Sequence, residues 1–349
     1  MAVYLITFAF AAGLSHRIQT GKELGQAEGV QKRRVFLLIL VLTCVIGLRF
    51  NVGTDYASYY RGYYNYSRLP WSEFLEISDP GLRLIAKIST FIYDDPVTMF
   101  FIAALIFMTL YVVTLYRNGD DFFACIVMFF ISGTFLDSCN GVRQSLAVAI
   151  IFFGFPYLRD RKFFKYLITI LIATAFHSTA IIMLPVYFLL SRKTTWWRIL
   201  LTVGGAVLLS FSYSYIFDMV ETITEKNVNL EYSYYEQGVS IFRVAVAVAP
   251  CVLLPFVDKE KFEQDSIYIN ILIFNAALMC ITANSAFLAR VGMYSTGFLC
   301  IALPKILSDL RLKHADFIRF GVYVCYFAYW IASIFLTAGL YPYHSIFSR

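Results

Sequence analysis

VTMFFIAALIFMTLYVVTLY, residues 97–116, decides the fold class, since its 20 residues carry no charged side chain. An α-helix of that length spans the hydrocarbon core of a bilayer. Similar apolar runs recur along the 349-residue chain, which is 59% hydrophobic and 15% charged. Soluble domains carry about 25% charged residues. The sequence therefore predicts an all-α, polytopic membrane protein forming a single integral membrane domain over residues 1–349.

The apolar runs predict about twelve transmembrane helices. One further segment, near 81–93, is short and carries Arg83 and Lys87, which favours an interfacial or re-entrant helix. With both termini outside, most Lys and Arg residues fall in cytoplasmic loops, as the positive-inside rule requires. The predicted outer loops are then 51–95 and 218–240. The predicted spans lie near 3–15, 34–50, 97–116, 122–139, 142–158, 163–175, 178–190, 197–217, 241–257, 267–284, 290–307 and 317–337.

Several kinds of site are not indicated by the composition. The seven cysteines lie mostly within apolar runs and form neither a Cys-x-x-Cys pair nor a Cys/His cluster, so neither a metal site nor a disulfide framework is predicted. Basic residues are scattered through short loops rather than gathered into a nucleic-acid-binding patch. We predict no cofactor and no nucleic-acid partner.

Polar residues instead concentrate at the ends of apolar runs that reach the predicted outer face. Arg143 and Gln144 open a helix there, just after Asp137 and Asn140. An arginine at a helix N-terminus combines a forked donor with the positive end of the dipole, which suits an anion such as phosphate. The alternative is a snorkelling arginine, or one paired with Asp137 for structural reasons.

Arg290 begins another helix from the same predicted face, after Asn284. Two arginines at one level favour a diphosphate or similar dianion, with Arg243 and Arg49 as candidate helpers. Alone, Arg290 fits a helix-end anchor equally well.

His177 and Asp55 are the candidate catalytic residues. His177 lies at the tip of a predicted helical hairpin over 163–190, where a neutral imidazole could take a proton from a sugar hydroxyl. Asp55 begins the first outer loop and could do the same or hydrogen-bond a sugar. Each has a structural alternative: His177 could cap the turn, and Asp55 could be the N-cap of an amphipathic helix.

Aromatic residues near these groups are candidates for stacking on sugar faces. Tyr56 and Tyr60 follow Asp55, and Tyr234 lies in the cluster at 232–235, which fits an interfacial aromatic belt as well.

Four motifs in order along the chain resemble the Wzy/EpsG-type family of bacterial polysaccharide polymerases. They are Gly-Thr-Asp-Tyr at 53–56, Arg-Gln-Ser-Leu-Ala from Arg143, Phe-His-Ser at 176–178 leading to Leu-Pro-Val-Tyr at 184–187, and Arg290 with Tyr294 behind it. The chain departs from the family at Asp79-Pro80-Gly81, where a Glu-Pro-Gly-like motif is expected. Asp79 is therefore not among the predicted catalytic residues.

The resemblance implies a membrane glycosyltransferase similar to the GT-C class. It would join oligosaccharide repeat units carried on undecaprenyl diphosphate, at the outer face of the bacterial cytoplasmic membrane. Arg143, Gln144 and Arg290 would bind the diphosphate, Asp55 or His177 would activate the acceptor, and Tyr56, Tyr60, Asn140, Tyr294 and Tyr234 would contact sugar or acceptor. Membrane lipid, a chain-length regulator and a flippase are the other candidate partners.

Three other functions stay open at this stage. A flippase or transporter of lipid-linked oligosaccharide would bind the same substrate, but its polar residues should extend through the bilayer depth. A ligase of the O-antigen type would use much the same residues on a different acceptor. An acyltransferase could use His177, although a paired His-Asp or His-His motif is missing.

Overall fold

The computed structural model describes residues 1–74, 79–212, 241–284 and 290–348, and helices joined by loops make up this part of the chain. Two isolated β-bridges are the extended pairings among these residues. The predicted all-α class is confirmed. The chain divides into two compact units, residues 1–187 with 330–349, and residues 188–329.

The first unit is built on α5, which packs against α2, α4 and α8, while α1 packs against α2 and α6. Its helices are α1 (Ala2–Glu23), α2 (Glu28–Gly47), α3 (Tyr56–Arg68), α4 (Pro80–Ser89), α5 (Pro96–Asn118), α6 (Phe122–Ile131), α7 (Thr134–Asp137), α8 (Val142–Phe153), α9 (Phe155–Arg159) and α10 (Phe163–Thr174), with 3-10 turns at Trp71–Glu73, Ser178–Ile182 and Ile346–Ser348.

The second unit is built on the helix at Ser266–Ile281, which packs against the helices at Trp196–Phe211 and Met293–Ser308. Its helices are α12 (Trp196–Phe211), α13 (Ile241–Val248), α14 (Lys259–Gln264), α15 (Ser266–Ile281) and α16 (Met293–Ser308), with 3-10 turns at Ala249–Phe256 and Thr282–Asn284. Two further helices, α11 (Met183–Leu190) and α17 (Ala315–Leu336), each contain residues assigned to both units.

Two of the described helices, α5 and α17, are long and apolar enough to cross a membrane by length and composition. The predicted spans 3–15 and 34–50 correspond to α1 and α2, of 22 and 20 residues, and several others are shorter helices or are divided. The run 122–139 forms α6 and α7, and 241–257 forms α13 and then a 3-10 segment. Pro250 and Pro255 lie in that segment, where each lacks the N–H that an α-helix would need. The count of twelve spans stays a prediction.

The described part of the predicted outer loop 51–95 is largely helical. It contains α3 and the amphipathic α4, which covers most of the segment predicted as interfacial. Tyr63 joins the two helices, because its hydroxyl donates to Asp94 Oδ1 at 2.8 Å and accepts from Ser89 Oγ at 3.2 Å. Burial raises the pKa of Tyr63 to about 12, so the phenol stays protonated at physiological pH. The other predicted outer loop, 218–240, lies outside the described residues.

Candidate functional site

The buried carboxylate of Asp79 is the centre of a polar cluster in the first unit. Its Oδ1 accepts a hydrogen bond from the Ser178 backbone N–H at 2.8 Å. Its Oδ2 lies 3.3 Å from His177 Nδ1 and 3.5 Å from Arg143 Nη1. Asp79 is only 8% exposed, and a carboxylate at that depth needs charged or N–H partners. These three contacts bring together two motifs that lie far apart in the sequence.

The backbone around Asp79 explains how the cluster is built. Asp79 has φ +56° and ψ +56°, a left-handed conformation that aspartate tolerates better than most residues. It precedes Pro80, the first residue of α4, where a missing N–H costs nothing. Gly81 donates its N–H to Ala175 O at 2.7 Å, and a side chain at Gly81 would collide with the Phe176 ring. The Asp79-Pro80-Gly81 motif thus docks directly on the His177 turn.

Arg143 extends from the first turn of α8 to Asp79 with its side chain about one-third exposed. Its guanidinium lies 5.9 Å from the centre of the Tyr59 ring and hydrogen-bonds the Tyr59 hydroxyl. Burial raises the pKa of Tyr59, so this partner stays a neutral phenol and leaves the positive charge of Arg143 in place. Arg143 Nε is buried and has no hydrogen-bond partner among the described residues. Because Nε is enclosed, an anion would have to approach the exposed third of the Arg143 side chain.

His177 follows the end of α10 and precedes a 3-10 turn, so it does lie at the tip of a hairpin. Its side chain does not cap that turn but faces the Asp79 carboxylate. A carboxylate at Nδ1 favours the tautomer that is protonated there, which makes Nε2 the proton acceptor. The orientation is that of a base held by an acid, the arrangement shared by many hydrolases and transferases.

Asp55 lies at the N-terminal end of α8 rather than capping its own helix. Its Oδ2 accepts the Gly141 N–H at 3.0 Å, while α3, which follows it, has no side-chain cap. Next to it, Asn140 Oδ1 accepts from the Thr54 N–H at 2.7 Å and from the Thr54 hydroxyl at 3.2 Å. A carboxylate at a helix N-terminus is stabilised by the helix dipole by about 0.3–1 kcal/mol.

Arg49 lies next to the contact between the Asp55 loop and the start of α8, and it is 1% exposed. Its guanidinium donates to three backbone carbonyls, Ile46 O at 2.6 Å, Val52 O at 3.2 Å and Cys139 O at 3.3 Å. It also lies over the Phe100 ring, 5.1 Å from its centre. Because its donors bind backbone carbonyls, Arg49 has a structural role, and its guanidinium faces protein rather than solvent.

Comparison with known proteins adds one result. A family model described as the EpsG family matches residues 32–345, which is most of the chain. The chain belongs to the EpsG family. No curated protein and no solved structure matches it. The resemblance predicted from four short motifs is confirmed, and all four lie inside the matched residues.

Membership of the EpsG family indicates a polysaccharide polymerase role, in a membrane and on a lipid-linked oligosaccharide. In this EpsG-family chain four of the predicted residues of the first unit lie in two groups. Arg143 and His177 meet at Asp79, and Asp55 and Asn140 meet at the start of α8.

The remaining predicted residues have varied surroundings. Tyr56 is 2% exposed and stacks on Phe100, with ring centres 4.6 Å apart, and Tyr60 stacks on Tyr56 at 5.8 Å. Gln144 is buried in α8. Their proposed contacts with substrate stay predictions.

Arg290 and Tyr294 lie in the second unit; Arg290 lies just before α16 and Tyr294 lies in its first turn. Arg290 is partly exposed and Tyr294 is buried. Arg243 lies in α13 of the same unit, and Tyr234 lies outside the described residues. The assignment of Arg290 to the diphosphate stays a prediction.

Two residues of this EpsG-family site were missed by the sequence analysis. Asp79 was set aside because it replaces an expected glutamate, although its place before Pro-Gly at the start of an amphipathic segment was the available signal. Tyr59, the partner of Arg143, is one of several tyrosines in α3, and the sequence pattern does not distinguish it from its neighbours.

Proposed function

We propose that this protein is a polysaccharide polymerase that transfers a growing glycan from undecaprenyl diphosphate onto another lipid-linked repeat unit. We place the reaction at the outer face of the bacterial cytoplasmic membrane. The observation that carries the proposal is the Asp79 cluster, where an oriented imidazole and a partly exposed guanidinium share one buried carboxylate.

In the proposed reaction His177 is the general base. Its Nε2 takes the proton of an acceptor hydroxyl as that oxygen forms a bond to the anomeric carbon of the donor. The bond between that carbon and the diphosphate oxygen breaks, and undecaprenyl diphosphate leaves with the electron pair. Asp79 holds the imidazole in place through Nδ1 and stabilises the imidazolium that forms.

Arg143 is proposed to bind the diphosphate leaving group. Negative charge grows on that group as the glycosidic bond breaks, and a preorganised guanidinium stabilises it more in the transition state than in the ground state. The first-turn amides of α8 add positive potential near Arg143, which the Asp55 carboxylate at the Gly141 N–H partly offsets. Gln144 and Arg290 are proposed as further ligands of the diphosphate.

Asp55 is proposed as a positioning residue rather than the base. Its carboxylate already accepts the Gly141 N–H, which ties it to the helix that carries Arg143.

The transferase is favoured over a flippase by one feature of the cluster. An imidazole held at Nδ1 by a carboxylate prepares the opposite nitrogen to accept a proton, which a new glycosidic bond requires, whereas a flippase forms no bond and removes no hydroxyl proton. A ligase would share that chemistry, so the acceptor must be tested directly.

The deciding experiment is reconstitution of the purified protein in liposomes with lipid-linked repeat units alone. A polymerase gives a ladder of products spaced by one repeat unit, because the same molecule serves as donor and acceptor. Transfer of the glycan only to an added, different acceptor would indicate a ligase. Movement of the lipid-linked unit between leaflets without any new glycosidic bond would overturn the proposal in favour of a flippase.

A further inference from the structure

Residues 339–346, here called the strap, lie along the loop that precedes the Gly-Thr-Asp-Tyr motif. The Gly53 N–H donates to Gly339 O at 2.8 Å, the Phe50 N–H to His344 O at 2.9 Å, and the Ile346 N–H to Leu48 O at 2.9 Å. An antiparallel bridge also joins Arg49 to Ser345. The strap is therefore hydrogen-bonded to this loop at both ends and in the middle.

Two tyrosines fix the strap to the helices of the first unit. Tyr4 in α1 donates to Leu340 O at 2.8 Å, and Tyr343 donates to Val45 O in α2 at 2.8 Å. The two rings meet edge to face, with centres 5.6 Å apart. Helices α1 and α2 thus hold the strap in place, and the strap in turn holds the loop at residues 48–53.

Gly53 is enclosed between the strap and the chain just before α8. It has φ +102°, and a side chain there would collide with Cys139 O. On its other side, a Cβ on Gly339, whose φ is +78°, would lie 3.0 Å from Gly53 C and 3.1 Å from Thr54 N. A Cβ at Gly53 would overlap Cys139 O, whereas a Cβ at Gly339 would press on Gly53 and Thr54, which would have to shift by a few tenths of an ångström to accept it.

Displacement of Gly53 would reach the start of α8 within two residues. Thr54 N is hydrogen-bonded to Asn140 and the Asp55 carboxylate to Gly141 N. Arg143 follows two residues later and extends to Asp79. We propose that the strap, through Gly339, positions Arg143 for binding the diphosphate. This inference rests on the proposed role of Arg143.

The substitution Gly339→Ala tests the strap, with Gly25→Ala as its matched control. Gly25 is also left-handed, with φ +64°, but nothing lies within 4 Å of a Cβ built there. Both variants place alanine at a positive φ, and only Gly339→Ala pushes on the site. We expect Gly339→Ala to weaken binding of undecaprenyl diphosphate by about tenfold or more, as small misplacements of binding groups do, and Gly25→Ala to leave it unchanged.

A double-mutant cycle separates positioning from general destabilisation. If the strap acts through Arg143, Gly339→Ala should weaken binding in the native background and should add nothing in an Arg143→Ala background. Equal losses in both backgrounds would overturn the inference.

Hydrogen exchange tests the same inference without any ligand. In Gly339→Ala the amides of residues 53–55 and 141 should exchange faster, while those of α4 and the Gly25→Ala protein stay unchanged. Unchanged exchange at 53–55 and 141 would overturn the strap's role even if the native protein makes polymer. Conversely, Gly339→Ala could show faster exchange at those amides while the native protein makes no product ladder. That result would refute the polymerase function and retain the role of the strap.

Discussion

At the scale of single residues, Asp79 contacts two side chains with different proposed roles, a general base and a ligand of the diphosphate. Its carboxylate orients His177 and also attracts Arg143. Asparagine adopts the left-handed backbone of Asp79 as readily as aspartate and can still accept the Ser178 N–H. Asp79→Asn therefore removes the charge while leaving the backbone in place.

We expect Asp79→Asn to slow polymerisation in liposomes by about 100-fold or more, since the imidazolium loses its stabilising charge. Asp160→Asn is the matched control, because that carboxylate pairs with Lys162 in an exposed turn away from the cluster. A product ladder of native rate and length from Asp79→Asn would contradict the assignment.

His177→Gln tests the base itself. Glutamine keeps a polar side chain but cannot take up the acceptor proton, so turnover should fall by about 100-fold or more at every pH. The native protein should in contrast lose activity on acidification, because a protonated imidazole cannot accept a proton. If the variant retains full activity, the base must be sought elsewhere, first at Asp55.

Sequence reasoning identified Arg143 and His177 but not the residue that joins them. The Asp79 contacts cross 64 and 98 residues of sequence, and a pairing at that separation is set by helix packing rather than by any local pattern. The expected partner of Arg143, Asp137, is close in sequence, yet the structure places Asp79 there.

At the scale of elements, the start of α8 is the feature on which the site depends. Gly141, its N-cap residue, is held by Asp55 from a separate segment, and Arg49 binds the carbonyl of nearby Cys139. Sequence analysis predicted a helix beginning at 142, and it does begin there. It assigned the Asp55 carboxylate to catalysis or to its own helix, since a cap supplied from another segment is not visible in one sequence.

Asp55→Asn distinguishes a positioning residue from a base. Asparagine can still accept the Gly141 N–H, so only the charge at the helix N-terminus is lost, a change of about 0.3–1 kcal/mol. We expect the rate of polymerisation to fall by about two- to fivefold, as that energy implies. Steady-state rates on lipid-linked repeat units would measure it, and complete loss of activity in a correctly inserted variant would make Asp55 the base.

At the scale of the whole molecule, composition alone sufficed for the helical class. The division into two units was not predicted, because it depends on which helix faces meet and not on how apolar each helix is. The number of membrane spans was harder to predict from the sequence, because several predicted spans are short or broken helices.

Membrane orientation is testable by cysteine labelling. Ser178 and Lys193 are both exposed, and the threading by charge places Ser178 outside and Lys193 inside. In a Cys325→Ser background, which removes the exposed native thiol, Ser178→Cys should react with an impermeant maleimide added to intact cells and Lys193→Cys only after lysis. The reverse pattern would place the Asp79 cluster on the cytoplasmic side.

The contact between Gly53 and Gly339 has a consequence for inheritance. The two positions are 286 residues apart, and a side chain at Gly339 would press on the backbone of Gly53, with a Cβ only 3.0 Å from Gly53 C. Relatives that keep the loop at Gly53 in this position should therefore keep glycine at 339 as well. A residue outside every recognised motif would then be inherited as faithfully as the motif that it supports.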